Sequence, residues 1–351
     1  MRIFATVFAL LCWPLWAFGF PVLPLWSTPE NNAYLNHVPS LLSSATEEIL
    51  LALSDIRAYP DGTTDPLLSA LSEAAEKGVN VYVLVEKTAR PFYPEQDEAL
   101  ARLRQIGVHV QEDSPEITLH TKFAVVDSRL VIVGSTHWTK TALTSSVQVD
   151  LVLEDAEVAG FFRQFFFLLW EGKLRTKTEL PPQPWSEPAL IPLLDFPESK
   201  ANFTAAYTVI AGAQRSVLLL LYELVFYPAY PDSPSTVLLR ALADAAKRGV
   251  KVEVLLEGGE NDPDLAEANK LSAAWLATQG VEVRFEPTTA VMHAKCLIVD
   301  GCHLSVSSAN WNYSSLVKNV EAGVLILGAP QLAQVMEIYF SQLWESSVPP
   351  R

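Results

Sequence analysis

Apolar positions along this chain follow two alternating rhythms. EILLAL (48–53) and VYVLV (81–85) are near-continuous apolar runs of strand length, as strands covered on both faces require. Between them, LLSALSEAAEKG (67–78) spaces its leucines and alanines as a helix with one buried face does. Gly78, Gly107, Gly249 and Gly280 each end a helical stretch, and a Val-rich run follows each of them. The predicted order is strand, amphipathic helix, strand, helix, strand, then a hairpin and a closing helix.

That order occurs twice. LLSALSEAAEKGVNVYVLVE (67–86) is answered by LLRALADAAKRGVKVEVLLE (238–257), with Gly78 matching Gly249. ARLRQIGVHV answers AWLATQGVEV, FFFLLWE answers IYFSQLWE, and EEILLALSDIRAYP answers RSVLLLLYELVFYP, at offsets of about 168 to 174. Between the copies, residues 181–197 hold Pro181, Pro182, Pro184, Pro188, Pro192 and Pro197, a composition that predicts a stiff extended connector. Alternating strands and helices predict an α/β architecture with a largely parallel sheet and antiparallel hairpins in each of two similar lobes.

Within this frame two apolar strands carry groups that are costly to bury without partners. LHTKFAVVD (119–127) holds His120, Lys122 and Asp127; MHAKCLIVD (292–300) holds His293, Lys295 and Asp300 at the same places, 293 − 120 = 173 residues on. Side chains two apart share one strand face, so each His points the same way as its Lys. With Asp300-Gly301 and Asp127-Ser128 as two-residue turns, opposing residues sum to 601 and 255. That register sets His293 against Ser308 and His120 against Ser135, with Asn310 and His137 next along. Two imidazoles and two ammonium groups gathered across a pseudo-twofold interface suit phosphoryl transfer, which needs cations on the phosphoryl oxygens, an in-line nucleophile and an acid for the leaving oxygen. A neutral His can attack phosphorus and a protonated one can supply the proton. Lys122 and Lys295 are expected to hold the phosphate, Ser135, Ser308 and Asn310 to donate hydrogen bonds to it, and Asp150 and Glu321 to orient the imidazoles.

The paired His-x-Lys-x4-Asp segments, SSANW after the second, and Asn319-x-Glu321 resemble the phospholipase D superfamily, over essentially the whole chain beyond residue 19. The resemblance implies two tandem α/β sandwich lobes related by a pseudo-twofold axis, one active site at the lobe interface, a covalent phosphohistidine, and no metal or other cofactor. His120, Lys122, Asp127, His293, Lys295 and Asp300 are then the expected catalytic set, with His120 the nucleophile and His293 the general acid by the order usual in two-motif relatives. Two departures stand out. GSTHW (134–138) has His137 where the second copy has Asn310, and Gln148-x-Asp150 stands against Asn319-x-Glu321.

Charge and composition narrow the substrate. Of 351 residues half are hydrophobic, and the net charge is −15 with no basic run. Nucleic-acid enzymes normally gather their substrate with a basic track. A phospholipid is therefore the expected substrate, with nucleic acid as the alternative and a catalytically weak scaffold as the reading from another class. The aromatic stretch YELVFYPAYPD places Tyr222, Phe226, Tyr227 and Tyr230 at a strand end beside the site. Residues 1–19, with Arg2 before an apolar run and small residues at Ala17 and Gly19, read as a signal peptide and predict a secreted or periplasmic protein, or one anchored with its lobes outside. The expected organisation is a leader over 1–19, lobes over 20–175 and 201–351, and a linker over 176–200. No obligate protein partner is implied, and two copies in one chain make a monomer sufficient. Cys296 and Cys302 are expected as free thiols.

Overall fold

The computed structural model describes residues 15–17, 20–87, 93–114, 116–173, 188–259, 262–287 and 290–350. The leader expected over 1–19 and the linker prolines 181, 182 and 184 lie wholly or mostly outside them. Two mixed sheets form. In the first, β1 (Leu15–Ala17), β2 (Phe20–Ser27), β8 (Ser146–Glu154), β7 (Leu130–Gly134), β6 (Lys122–Val126), β3 (Glu48–Leu53), β4 (Asn80–Val85) and β5 (His109–Glu112) lie side by side in that order. In the second the order is β12 (Glu282–Phe285), β11 (Lys251–Leu256), β10 (Ser216–Leu221), β14 (Lys295–Val299), β15 (His303–Ser307), β16 (Glu321–Leu327) and β9 (Ala189–Asp195). The duplicated sequence is thus a duplicated sheet: β3-β4-β5 and β10-β11-β12 are the parallel halves, and the other strands named here pair antiparallel.

The expected connector is corrected by β9. Ala189–Asp195 is the outermost strand of the second sheet, paired with β16, and is the counterpart of β2. Pro24 and Pro192 occupy matching places in these strands. A proline has no N–H to give a ladder; β9, as an outer strand, tolerates the loss, and Pro24 lies beyond the stretch of β2 that β1 pairs. The second lobe therefore begins at about residue 189, before the expected boundary at 201.

Each sheet buries its outer face against helices of its own lobe. Ala33–Ser43, Asp65–Glu76 and Pro94–Gln105 cover the first; Ala201–Gly212, Pro234–Lys247 and Pro263–Thr278 cover the second. The inner faces do not form separate cores. Leu50, Phe123, Val125 and Val133 of the first sheet join Leu218, Cys296, Val306 and Val324 of the second in one buried cluster, with the helices Ala156–Trp170 and Pro330–Ser346. At roughly 2 kcal/mol for each fully buried aliphatic side chain, this shared core fixes one lobe on the other. Cys296 and Cys302 are free. Among the described residues no helix is long and apolar enough to cross a membrane.

Candidate active site

The two hairpins turn where expected but not in the expected register. Asp127 and Ser128, and Asp300 and Gly301, all have positive φ, as two-residue hairpin turns demand. The ladder beyond each turn is shifted by one residue: Val126 pairs with Leu130 and Val299 with His303, sums of 256 and 602 in place of 255 and 601. An extra residue, Arg129 or Cys302, is taken up beside the turn as in a bulge. The expected pairing of each His with the hydroxyl of its own lobe does not form.

Each His instead crosses to the other lobe. The segment before His293 pairs with β8 as the short parallel strand β13 (Val291–Met292), and His293 N donates to Val147 O at 2.9 Å. Leu119 bridges Val320 in the same manner, and His120 N donates to Val320 O at 2.9 Å. Glu86 Oε2 and Glu257 Oε2 accept the N–H groups just before the histidines, those of Leu119 and Met292, each at 2.6 Å. The backbone of both imidazoles is thus fixed through partners related by the repeat.

The side chains are exchanged as well. Nδ1 of His120 meets both carboxylate oxygens of Glu321 at 2.8 and 2.9 Å, and Ser308 Oγ donates to the same carboxylate. Nδ1 of His293 meets Ser135 O and Gln148 Oε1, both at 3.1 Å, and Ser135 Oγ donates to Gln148 Oε1. Ser135 and Ser308 therefore orient the groups that orient the histidines; they are not the expected phosphate donors. Asp150 is also corrected. It binds Thr136 through N and Oγ1 and touches neither imidazole. Its structural counterpart is Gly323, because Gly134 pairs with Asp150 where Ser307 pairs with Gly323. A Cβ at Gly134 would lie 2.4 Å from Asp150 Oδ1, and one at Gly323 2.7 Å from the Ser307 Cβ, so the small residue has to sit opposite the larger one in each lobe. The true match to Glu321 is Gln148, at 321 − 148 = 173, the same offset as the histidines. That offset was the available signal, and the resemblance of Gln148-x-Asp150 to Asn319-x-Glu321 masked it.

Lys122 and Lys295 are each 3% exposed and reach back to the carbonyl of their own histidine, Nζ to O at 2.7 Å in both lobes. Burial, only partly offset by Glu321, Asp55 and Asp150, brings Lys122 down to about 7, and Lys295 is lowered well below its ordinary value by burial and by Lys122. Burial also lowers His120 against the pull of Glu321, and lowers His293 further, its next causes being the two lysines. Glu321 is held low by His120, Lys122 and Ser308, which outweigh its burial. Bases lowered together in this way take up protons when an anion enters the site. Asn310 keeps a buried Oδ1 with no hydrogen-bond partner among the described residues.

Asp127 and Asp300 are not brought to the site. Each lies one five-residue strand from its lysine, on the order of 16 Å at ~3.3 Å per residue. Asp127 accepts the N–H groups of Thr46, Glu47 and Glu48, and Asp300 those of Gln214, Arg215 and Ser216. Both tie a hairpin turn to the entry of a neighbouring strand, so the expected catalytic role is replaced by a structural one. Of the aromatic stretch, only Tyr222 reaches the chemistry: its ring is 4.8 Å from that of His293, and Lys295 Nζ is 4.9 Å from its centre. Phe226 stacks on Trp275, while Tyr227 and Tyr230 line a separate cavity of about 710 Å³ with Lys200 and Tyr313. Tyr222 and His137 are functional neighbours that the motif alone did not place. His137 lies beside both motif histidines, 6.0 Å from His120 and 5.0 Å from His293, centre to centre.

The chain was compared with known proteins. The family model described as cardiolipin synthase, PLD-like domain, matches residues 38–170 and again 207–344. Cardiolipin synthase B of Escherichia coli (strain K12) is 26% identical over 322 residues, 85% of this chain and 75% of that protein. The mitochondrial cardiolipin hydrolase of Mus musculus is 30% identical over 150 residues, 42% of this chain and 66% of that protein. Among solved structures, the phosphatidylserine synthase of Haemophilus influenzae Rd KW20 superposes with a TM-score of 0.76 at 14% identity, over 99% of this chain and 92% of its own. The polyphosphate kinase of Porphyromonas gingivalis superposes with a TM-score of 0.60 at 16% identity, with this chain covering 49% of it. These two likenesses show the fold.

Proposed function

The chain belongs to the cardiolipin synthase, PLD-like domain family within the phospholipase D superfamily, whose members act on phosphodiester bonds, and from that premise we propose that it cleaves a phospholipid phosphodiester through a phosphohistidine. One observation carries this reading: His120 and His293, one from each lobe, share a buried site with Lys122 and Lys295, and each holds its Nδ1 on a partner from the opposite lobe.

With Nδ1–H given to Glu321, the Nε2 lone pair of His120 is free to attack phosphorus, and the carboxylate stabilises the cation that forms on the ring. His293 leans on neutral oxygens alone. Protonated, it is the stronger acid of the two, which suits donation to the leaving oxygen. Lys122, Lys295 and Asn310 face the phosphoryl oxygens. Water as acceptor releases phosphatidic acid. A second reading, transfer to an alcohol, is favoured by the names of the relatives that span most of the chain, cardiolipin synthases B. The acidic chain without a basic run makes nucleic acid the lesser candidate. In this proposal the enzyme acts outside the cytoplasmic membrane, a reading supported by the leader-like composition of residues 1–19.

The test is a product analysis with phosphatidylcholine, phosphatidylglycerol, cardiolipin and single-stranded DNA, each with and without added glycerol. Phosphatidic acid supports hydrolysis, and a new phosphatidyl ester supports transfer. DNA cleavage with no lipid turnover contradicts the proposal.

A further inference from the structure

The second lobe carries Asn310 two residues beyond Ser308; the first lobe carries an imidazole, His137, at the same point of its hairpin. His137 lies 5.0 Å from His293 and 6.0 Å from His120, ring centre to ring centre, so three imidazoles enclose one small volume. Its Nδ1 is 2.9 Å from Ser54 Oγ. Ser54 occupies in the first lobe the place of Tyr222 in the second, one residue beyond the strand position that pairs with the catalytic lysine. The lobes therefore differ at both positions: a tethered His in one, an aromatic ring and an amide in the other. If Nδ1–H donates to Ser54, Nε2 of His137 keeps a lone pair directed away from the tether.

The second half-reaction needs a base, and the position of that lone pair suits it to the task. In the first half-reaction the Nε2 pair of His120 forms the bond to phosphorus, the phosphorus–oxygen bond of the leaving group breaks, and that oxygen takes a proton from His293. In the second, an acceptor O–H must lose a proton as its oxygen bonds phosphorus and the phosphorus–nitrogen pair returns to His120. We propose that His137 is a third catalytic residue, the base that takes the acceptor's proton and passes it to the adjacent His293, restoring the acid. The proton lost by one imidazole is regained through its neighbour, and the cycle closes without net change. His137 faces Lys122, Lys295, His120 and His293, and burial with those cations holds it neutral, as a base must be. An amide in its place can still donate to a phosphoryl oxygen, but it cannot accept a proton.

The proposal rests on the phosphohistidine reading, and one experiment separates the two. Bis(4-nitrophenyl) phosphate has a leaving group that needs little help from an acid, so its release reports the first half-reaction alone. Pre-steady-state release is followed in wild type, His137→Asn and His137→Ala, with the phosphoenzyme quantified after an alkaline quench, and steady-state turnover of the phospholipid in parallel. In both variants we expect a burst close to one equivalent, a steady rate at least tenfold below wild type, and phosphoenzyme accumulation. Recovery of wild-type rates in His137→Asn alone would reduce His137 to a phosphate donor. Equal loss of burst and steady rate would make it a ground-state binder, and no change would make it a space-filler; each overturns the proposal. Absence of any phosphoenzyme in wild type and variants overturns the phosphohistidine reading and this one with it.

Discussion

Glu321, on the last strand of the second sheet, holds Nδ1 of His120 from the first lobe at 2.8 Å. At the symmetry-related point the partner of His293 is an amide, Gln148, whose Nε2 is buried with no partner among the described residues. Nothing else in the site separates the two histidines so clearly, and the proposed division of roles between them rests on it and not on motif order. Glu321→Gln should lower kcat by about 10²–10³-fold, the range of losing one positioned charge at a reacting group. Gln148→Glu should remove the unpaired amide, raise the basicity of His293 and move the alkaline limb of the rate profile, where a general acid loses its proton, upward in pH. A pH series of kcat for both variants checks this; equal effects of the two changes would show that the asymmetry is idle.

The aspartates of the repeated motif should separate stability from catalysis. Asp127→Asn loses charge-assisted bonds to three consecutive N–H groups, and about 2–3 kcal/mol of stability should go with them. Burial pushes this carboxyl up, but the backbone donors outweigh it and hold it below the usual range. Its contribution is therefore present above the unfolded value and is lost as pH falls through the folded one. Denaturant unfolding should show the loss, while kcat of the folded fraction stays within a few-fold of wild type. A fall of several powers of ten at full stability would return Asp127 to the catalytic set.

An anion should reverse the depression of the cationic groups. Lys122 near 7, and Lys295, His120, His137 and His293 all lowered by burial first, take up protons when negative charge enters. Sulfate, which does not titrate in this range, should bind with net proton uptake and about tenfold more tightly at pH 6 than at pH 8, as calorimetry in buffers of different ionisation heat will read. The unliganded protein should behave in the opposite sense. His137 and His293 stay neutral when folded but protonate when unfolded below about 6.5, so stability is full above that pH and falls beneath it, by about 1.4 kcal/mol per pH unit per histidine. Sulfate affinity that ignores pH would contradict the account.

Metal should be dispensable. In the proposed mechanism Lys122 and Lys295 meet the phosphate's charge, and no group of three or more His, Cys, Asp or Glu suited to a metal ion occurs among the described residues. Turnover should survive EDTA unchanged; loss restored by Mg²⁺, Ca²⁺ or Zn²⁺ would show a requirement.

The fold was largely legible because its signals are local and doubled. Gly78, Gly107, Gly249 and Gly280 mark helix ends in the structure as in the sequence, and the hairpin turns at Asp127 and Asp300 have the backbone the sequence predicts. His120, His293, Lys122 and Lys295 come together as expected. What escaped was relational. A one-residue bulge at Arg129 and Cys302 shifts the ladder, and turn chemistry alone does not encode it. The exchange of partners between lobes depends on Leu119 and Met292 pairing across the interface, contacts more than a hundred residues apart in sequence. Asp150 looks like a counterpart of Glu321 in sequence because both follow an amide two residues earlier, whereas packing opposite Gly134 decides its place. Strand β9 was hidden by its proline-rich context, which an outer strand accepts.

The central claim is one site, shared between lobes, in which His120 becomes covalently phosphorylated. Wild-type enzyme and His293→Ala should be mixed with the phospholipid, quenched in alkali within the first turnovers, digested, and mapped by mass spectrometry. The account expects phosphatidyl or phosphoryl modification on the peptide bearing His120, trapped more fully when His293 is absent, and none after His120→Ala. Modification on His293 in the wild type, or turnover that persists in either single variant, would contradict it.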